Sequence, residues 1–398
     1  MTSGKRGLEA PHRRVERAPR PPRSDGASGL RHRLGLRVAP GRLVEKVAVR
    51  AYAAATWLVA HVPGPLSRWV IGTGSQAGYL FWPTKRNWSN ANFGHVASLP
   101  PDDPRVRRMA LAAYREYARY LVEVMHLESM SAESAGKLVA QTELDGIEKM
   151  WRESKGGLIL ALGHVGNNEA VAAAVAGRGW PVNVVADDSS FPEMFARFTA
   201  LREAWGVHVI PWRNLREIFV VLKRREMLAL LIDWGYRSDG IPVRLFDSWT
   251  TLPAGPASLA AKTGSRILPL AIRRQADGDF HVSWSEPIEV ASSAPADLQA
   301  ATQELADALA ATIGAAPHQW YSFKPMWPAT AEEAAELEKR AATMQAGGPR
   351  AQAAITDALA PEASIPPWPI EPVAEPEASL EPDGLDTRHA GEPEGAGT

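Results

Sequence analysis

Short apolar runs alternate with amphipathic segments through the middle of the chain. The runs are rich in branched residues and are bounded by turn residues, as buried strands are. The segments between them have helical spacing or helix start and stop signals. Strands that alternate with helices require parallel crossovers, so we expect an α/β fold with a mostly parallel central sheet flanked by helices. The five predicted strands are "GGLILALG", "PVNVVA", "VHVIPW", "MLALLID" and "SRILPLAIRR".

Two segments before this region have helical character. The apolar positions that follow Pro104 recur every three or four residues and predict one long helix. The segment Val47–Val62 is apolar, but Arg50 and His61 bracket too few uncharged residues for a transmembrane helix, which needs about twenty. It is either an interfacial helix with Trp57 and Leu58 facing lipid, or an amphipathic helix of the core.

Composition sets the two ends of the chain apart. The chain has 398 residues, of which 45% are hydrophobic, and a net charge of -1. Residues 1–42 are basic and residues 329–398 are acidic and rich in Ala and Pro, so we expect a disordered arm and a disordered tail. Residues 43–328 remain as one domain. We expect the basic arm to strengthen attraction to anionic lipid headgroups.

Several classes of protein are excluded or disfavoured by what the sequence lacks. The chain has no cysteine, which excludes disulfides, zinc-thiolate sites and cysteine nucleophiles. Histidines are scattered, and we expect neither a metal site nor a cofactor. The first 41 residues lack the apolar core of a secretory signal. Nothing indicates a nucleic-acid partner, and the oligomeric state stays open.

The segment "LGHVGNNE" follows the first predicted strand directly. Its His164 and Glu169 lie at the carboxyl end of that strand and in the first turn of the next helix, where α/β proteins bind ligands. Glu169 could hold the imidazole of His164, which would then remove a proton from a hydroxyl. Gly163 and Gly166 leave room for backbone N–H groups to face a reacting centre. Alternatively, the segment only caps a helix.

The surrounding residues resemble those of a known family. "GGLILALGHVGNNE" is similar to the H-x4-D/E motif of glycerolipid acyltransferases, in particular its form in lipid A lauroyl/myristoyl acyltransferases and phosphatidylinositol mannoside acyltransferases. Three later blocks resemble the same enzymes in the same order, so the likeness covers roughly residues 43–327. These blocks are "VVADDSSFPEMFARFTALREAWGVHVIPW", "DWGYRSDGIPVRLFDSWTTLPAGPASLAAKTGSRILPLAIRR" and "PHQWYSF".

The resemblance implies a membrane-associated enzyme that transfers a fatty acyl chain from acyl-CoA or acyl carrier protein to a hydroxyl of a glycolipid. His164 matches the catalytic histidine and Glu169 its partner acid. Arg202 matches an arginine that we expect to bind a phosphate or polar headgroup, and Asp187 and Asp233 match acids that either contact sugar hydroxyls or are structural. The resemblance also implies a location at the cytoplasmic face of the plasma membrane, peripheral or monotopic.

Further expectations follow from the implied chemistry. Backbone N–H groups near Gly166 and Asn167 would stabilise the oxyanion, and apolar helices with the plentiful tryptophans would form the acyl channel. Lys85, Arg86 and Arg202 suit either CoA or an anionic headgroup, so they do not choose between them.

Two departures from the family pattern put details in doubt. Asn168 stands where the family usually has Trp, which could alter packing beside the acyl channel. The triplet Ala186–Asp187–Asp188 replaces a usual cation with an anion, so the identity of the acceptor stays open.

Motifs of other enzyme classes are present only in part. The strings S-x-x-K, S-D-x and K-T-G all occur, at Ser134–Lys137, Ser238–Gly240 and Lys262–Gly264, but too little chain separates the last two for a penicillin-recognising fold. The segment "GTGSQAG" lacks the spacing of a dinucleotide loop. Two alternatives remain: an acyltransferase of lipid A or lysophospholipid type with another acceptor, and a catalytically silent membrane-binding protein of the same fold.

Overall fold

The structure is a computed structural model that describes residues 40–188, 192–275 and 278–347. The helices are α1 (Pro40–His61), α2 (Gly64–Phe81), α3 (Pro83–Ala97), α4 (Pro104–Leu127), α5 (Ala132–Gly136), α6 (Gln141–Glu153), α7 (Asn168–Gly177), α8 (Pro192–Ala204), α9 (Leu215–Lys223), α10 (Gly255–Thr263), α11 (Pro295–Ala315) and α12 (Ala331–Ala346). The strands are β1 (Leu158–Leu162), β2 (Val182–Ala186), β3 (His208–Pro211), β4 (Met227–Leu231), β5 (Ile241–Leu245), β6 (Ser248–Leu252), β7 (Arg266–Arg274) and β8 (Phe280–Trp284).

Six strands form a central sheet in the order β3-β2-β4-β1-β7-β8. All neighbours are parallel except β7 and β8. This confirms the predicted α/β class and all five predicted strands, which are β1 to β4 and β7. The edge strand β8 and the antiparallel hairpin β5-β6 were not predicted.

Alternate residues of β1 face opposite sides of the sheet, and both sides are buried. Ile159 and Ala161 join the larger hydrophobic cluster, whereas Leu158, Leu160 and Leu162 join the cluster beneath α7. A strand that is covered on both faces has no polar side, which is why its sequence is a continuous apolar run. From Ala48 onward, the described residues form one compact unit.

The predicted boundary of the acidic tail is wrong in part. The structure describes residues 329–347 of that tail, and Ala331–Ala346 form α12. Thr330 caps the helix through the N–H of Glu333, and Leu337, Ala341 and Met344 are buried on one face. Acidic side chains on the opposite face gave this helix the composition of the tail. The rest of the predicted tail, residues 348–398, and residues 1–39 of the predicted arm lie outside the described residues.

Helix α2 carries an exposed apolar stripe. Its buried face consists of Ser67, Gly72 and Tyr79, and Ser75 on the α4 side donates a hydrogen bond to the carbonyl of Tyr114. The outer face is apolar at positions that share one side of a helix. These residues are Leu66, Trp69, Val70, Leu80 and Phe81, and Phe81 is 84% exposed.

Helix α1 covers Val47–Val62 and has a buried side and an exposed side. Tyr52 and Val59 are buried against α4 and α8 residues, whereas Trp57 is exposed and Leu58 is half-buried. None of the helices in the described ranges combines the length and the apolar character that crossing a bilayer requires.

Candidate active site

His164 and Asp233 lie side by side because of the sheet register. Leu162 at the end of β1 pairs with Leu231 at the end of β4. His164 follows Leu162 by two positions, and Asp233 follows Leu231 by two positions. Both therefore lie at the carboxyl edge of the sheet, where α/β folds bind ligands. The adjacency of β1 and β4, which are separated by two other strands along the chain, therefore brings the imidazole to the carboxylate.

Asp233 holds His164 through two hydrogen bonds. The backbone N–H of His164 donates to Oδ2 of Asp233 at 2.8 Å, and Nδ1 of the ring lies 2.6 Å from Oδ1. Nε1 of Trp320 also donates to Oδ2, at 2.9 Å. The Asp233 side chain is fully buried, whereas that of His164 is 28% exposed. The imidazole is thus fixed on one side and open to solvent on the other.

The charges of this pair favour the ionised forms. Burial lowers the pKa of His164, but the negative charge and hydrogen bond of Asp233 outweigh burial and raise that pKa above its usual value. Burial raises the pKa of Asp233, but the charge of His164 and hydrogen bonds from His164 and Trp320 bring that pKa below its usual range. Asp233 is therefore a carboxylate and a hydrogen-bond acceptor for Nδ1–H.

Glu169 contacts a different partner. Its carboxylate accepts two hydrogen bonds from the guanidinium of Arg202, at 2.5 and 3.0 Å. Burial lowers the pKa of Arg202, but the charge of Glu169 and its hydrogen bonds raise it, so the pair is ionised. The expected contact between Glu169 and His164 is corrected here. Asp233 rather than Glu169 is hydrogen-bonded to the His164 ring, and Arg202, expected to bind a headgroup, forms an ion pair with Glu169.

The loop between His164 and α7 is tightly held. Gly166 has a φ of 67°, and a Cβ there would lie 2.1 Å from the carbonyl oxygen of Ile272, so only glycine fits. Its N–H donates to the carbonyl of Gln319 at 3.2 Å, so it is not available for the oxyanion role expected from the sequence. Asn167 caps α7 through the N–H of Ala170.

The side chain of Asn167 also reaches α4. Its Nδ2 donates to Glu123 at 3.2 Å, and Glu123 is held in turn by Arg274, whose side chain is 1% exposed. This buried network ties the loop after His164 to α4 and β7.

The structure places the remaining predicted residues on other elements. Asp187 follows the end of β2, and β4 lies between β2 and β1 in the sheet. Two strand spacings of about 4.8 Å each therefore separate the end of β2 from the end of β1. Lys85 lies over the ring of Trp88 in α3, and Arg86 donates to the carbonyl of Leu80.

Two residues that sequence reasoning missed flank the imidazole. The ring of Trp234 lies 6.0 Å from that of His164, and the ammonium of Lys324 lies 3.9 Å above Trp234. The charge of Lys324 lowers the pKa of His164, against the effect of Asp233. Trp320 belongs to the segment "PHQWYSF", and Lys324 follows that segment directly. The resemblance of this segment to the family was the signal that could have identified them.

An apolar cavity of about 80 Å³ lies between α7 and the sheet. Asn168, Glu169 and Arg202 are its polar lining residues. The other lining side chains are aliphatic rather than the tryptophans expected from the sequence. They include Leu160, Leu162, Val171, Val175, Val184 and Leu270.

Comparisons with known proteins identify the family of this chain. A family model described as bacterial lipid A biosynthesis acyltransferase matches residues 41–328. A phosphatidylinositol mannoside acyltransferase from Mycolicibacterium smegmatis is 30% identical over 287 residues, which cover 69% of this chain and 90% of that protein. A phosphatidylinositol mannoside acyltransferase from Mycobacterium tuberculosis H37Rv is 27% identical over 301 residues, which cover 73% of this chain and 92% of that protein. The chain therefore belongs to the bacterial lipid A biosynthesis acyltransferase family and is an acyltransferase.

Proposed function

We propose that this protein transfers a fatty acyl chain from acyl-CoA or acyl carrier protein to a hydroxyl of a membrane glycolipid, with His164 as general base. The observation that carries the proposal is the pairing of His164 with the buried carboxylate of Asp233. The carboxylate holds the proton on Nδ1 and leaves Nε2 as the base. Among the described residues, no group hydrogen bonds to Nε2.

The proposed reaction needs no covalent enzyme intermediate. Nε2 of His164 takes the proton of the acceptor hydroxyl while the hydroxyl oxygen attacks the thioester carbonyl. The tetrahedral intermediate then collapses, the C–S bond breaks, and the imidazolium returns its proton to the leaving thiolate. Asp233 stabilises the imidazolium between these two steps.

The acceptor we favour is a phosphatidylinositol mannoside or a related glycolipid. Support comes from the two mycobacterial relatives, which are phosphatidylinositol mannoside acyltransferases and are matched over nearly their whole length. An acceptor of lipid A or lysophospholipid type is the alternative. A transfer assay with each acceptor class and long-chain acyl-CoA decides, with the acylated product identified by mass spectrometry.

Three outcomes of this assay are informative. Acylated mannoside as the main product supports the proposal, and a product from another acceptor overturns the acceptor assignment. If a folded protein consumes no thioester from acyl-CoA or acyl carrier protein with any acceptor, the silent membrane-binding alternative stands instead.

We further propose that the protein binds the cytoplasmic face of the plasma membrane as a peripheral or monotopic protein, with the stripe on α2 entering the lipid interface. Exposed Trp69 and Phe81 are the residue types that favour this interface, and exposed Trp57 on α1 adds a further aromatic group. An apolar stripe of this size is costly in water and is typical of an interaction surface.

Vesicle sedimentation tests the membrane proposal. The Trp69→Ser, Phe81→Ser double variant should lower partitioning onto anionic vesicles by about a hundred-fold or more, since the two side chains together contribute about 3–6 kcal/mol when buried. Leu215→Ser on α9 is the matched control, because Leu215 is also highly exposed, at 71%. Unchanged partitioning of the double variant would rule out the α2 stripe as the contact.

A further inference from the structure

The side chain of Asn168 leaves one polar atom unsatisfied in the wall of the cavity. Asn168 is the first residue of α7 and lines the cavity together with Glu169 and Arg202. Its Nδ2 donates to the carbonyl of Gly163 at 3.1 Å. Its Oδ1 is buried and has no hydrogen-bond partner in the described ranges. A buried amide oxygen without a partner costs about 1–3 kcal/mol, so it calls for a donor.

The hydrogen bond to Gly163 fixes which way the carboxamide points. A carbonyl oxygen only accepts, so the amino group of Asn168 must face it and Oδ1 must be the remaining atom. Asn168 therefore offers an acceptor, and Gly163, which precedes His164 directly, places that acceptor at the end of the cavity next to the proposed base.

The other two polar lining groups already have a partner. Glu169 and Arg202 form an ion pair with two hydrogen bonds, whereas Oδ1 of Asn168 has no partner in the described ranges. The remaining lining residues, such as Leu162 and Val171, are aliphatic. The cavity thus combines apolar walls with an unpartnered acceptor, Oδ1 of Asn168, at the end next to His164.

We propose that Asn168 selects an acyl donor whose chain carries a hydroxyl on one of the carbons nearest the thioester carbonyl. The inference rests on the proposed function and adds the class of acyl chain. A hydroxyl there would donate to Oδ1 of Asn168 while the neighbouring carbons of the chain lie against the apolar wall of the cavity. The amide N–H groups of a pantetheine arm lie on the other side of the thioester, away from the chain that enters the cavity.

Fatty-acid binding tests the proposal without turnover. Isothermal titration compares palmitate with α-hydroxypalmitate and β-hydroxypalmitate on the full chain. Wild type should bind one hydroxy acid on the order of ten-fold more tightly than palmitate, because the acceptor loses its partner with the plain acid. Asn168→Leu should bring this ratio to about one. Val171→Leu, in the same wall, changes volume but not polarity and should leave the ratio unchanged.

Asn168→Ala serves as a second variant if Asn168→Leu does not fold. Equal binding of all three acids by wild type, or a ratio that both Asn168 variants retain, would overturn the inference. A further outcome is that Asn168→Leu loses the same affinity for plain and hydroxylated acyl-CoA and none for the free acids. That result would assign the hydrogen bond to pantetheine and would also overturn the inference.

Kinetics with palmitoyl-CoA and its hydroxylated counterparts separate this inference from the proposed function. Equal transfer of all donors by wild type retains the acyltransferase mechanism and removes the selection by Asn168. If no donor is consumed, the proposed function fails, and the fatty-acid titrations still decide the role of Asn168.

Discussion

Replacement of Asp233 by Asn tests the proposed orientation of the base through a change of tautomer. Oδ2 of Asp233 accepts from two donors, the backbone N–H of His164 and Nε1 of Trp320, whereas Oδ1 faces Nδ1 alone. The single carbonyl oxygen of Asn should take the place of Oδ2 because it can satisfy both donors. The amino group of Asn then faces Nδ1, which must become an acceptor.

That exchange moves the ring proton to Nε2, the atom that should take the proton of the acceptor hydroxyl. The base is then blocked, and the imidazolium also loses its stabilising charge. In serine-protease triads, the same carboxylate-to-amide change costs on the order of 10⁴ in kcat. We therefore expect Asp233→Asn to lower kcat by roughly 10³ to 10⁴, which corresponds to about 4 to 5.5 kcal/mol in the barrier.

The assay follows thiol release from acyl-CoA in the presence of glycolipid acceptor, with a melting curve for each variant. Asn has the size of Asp and retains the three hydrogen bonds, so the melting temperature should change little. Asp145→Asn is the control, because Asp145 forms an exposed ion pair with Arg178. If Asp233→Asn retains more than about a tenth of the wild-type kcat, the reasoning about the tautomer is refuted.

Three further predictions concern the same region. Asp233 holds the pKa of His164 above its usual value, and the base must be unprotonated, so kcat/KM should fall as the pH falls through that raised pKa. In Asp233→Asn, a pH-rate profile should show this fall at lower pH. A fall at the same pH in both proteins would contradict the assignment. Glu169→Gln leaves the buried cation of Arg202 uncompensated and should lower the free energy of unfolding by about 3 kcal/mol in urea titrations. The double variant Glu169→Leu, Arg202→Leu should lose less free energy of unfolding. Equal losses would contradict the ion-pair argument. Gly166→Ala puts a Cβ 2.1 Å from a backbone oxygen at a positive φ, so the melting temperature should drop sharply, and a wild-type melting curve would show that the loop is looser than described.

The sheet could be predicted from the sequence because its strands are covered on both faces. Continuous apolar runs such as Leu158–Leu162 identify buried strands, and the helices between them require parallel crossovers. The hairpin β5-β6 escaped prediction because Pro242 and Arg244 interrupt the apolar pattern of β5. Helix α12 escaped because acidic side chains on its outer face dominate the composition of that segment.

The sequence predicted the role of His164 but not the pairing of His164 with Asp233. His164 follows from its place after β1, but its partner depends on strand order, which local patterns do not reveal. Glu169 is the nearest acid along the chain, whereas Asp233 is the nearest in space because β4 pairs with β1. Trp320 reaches Asp233 from a still more distant segment. Spacing along the chain thus favoured the wrong acid as the partner of the imidazole.

The most direct test of the account is acceptor-dependent thiol release by the purified full chain and by His164→Gln. Long-chain acyl-CoA is supplied with vesicles that contain or lack a mannosylated phosphoinositide. The account predicts release that requires the glycolipid and falls by at least about a hundred-fold in the folded variant, as expected for loss of a general base. Acceptor-dependent release that persists in His164→Gln would contradict the role of His164.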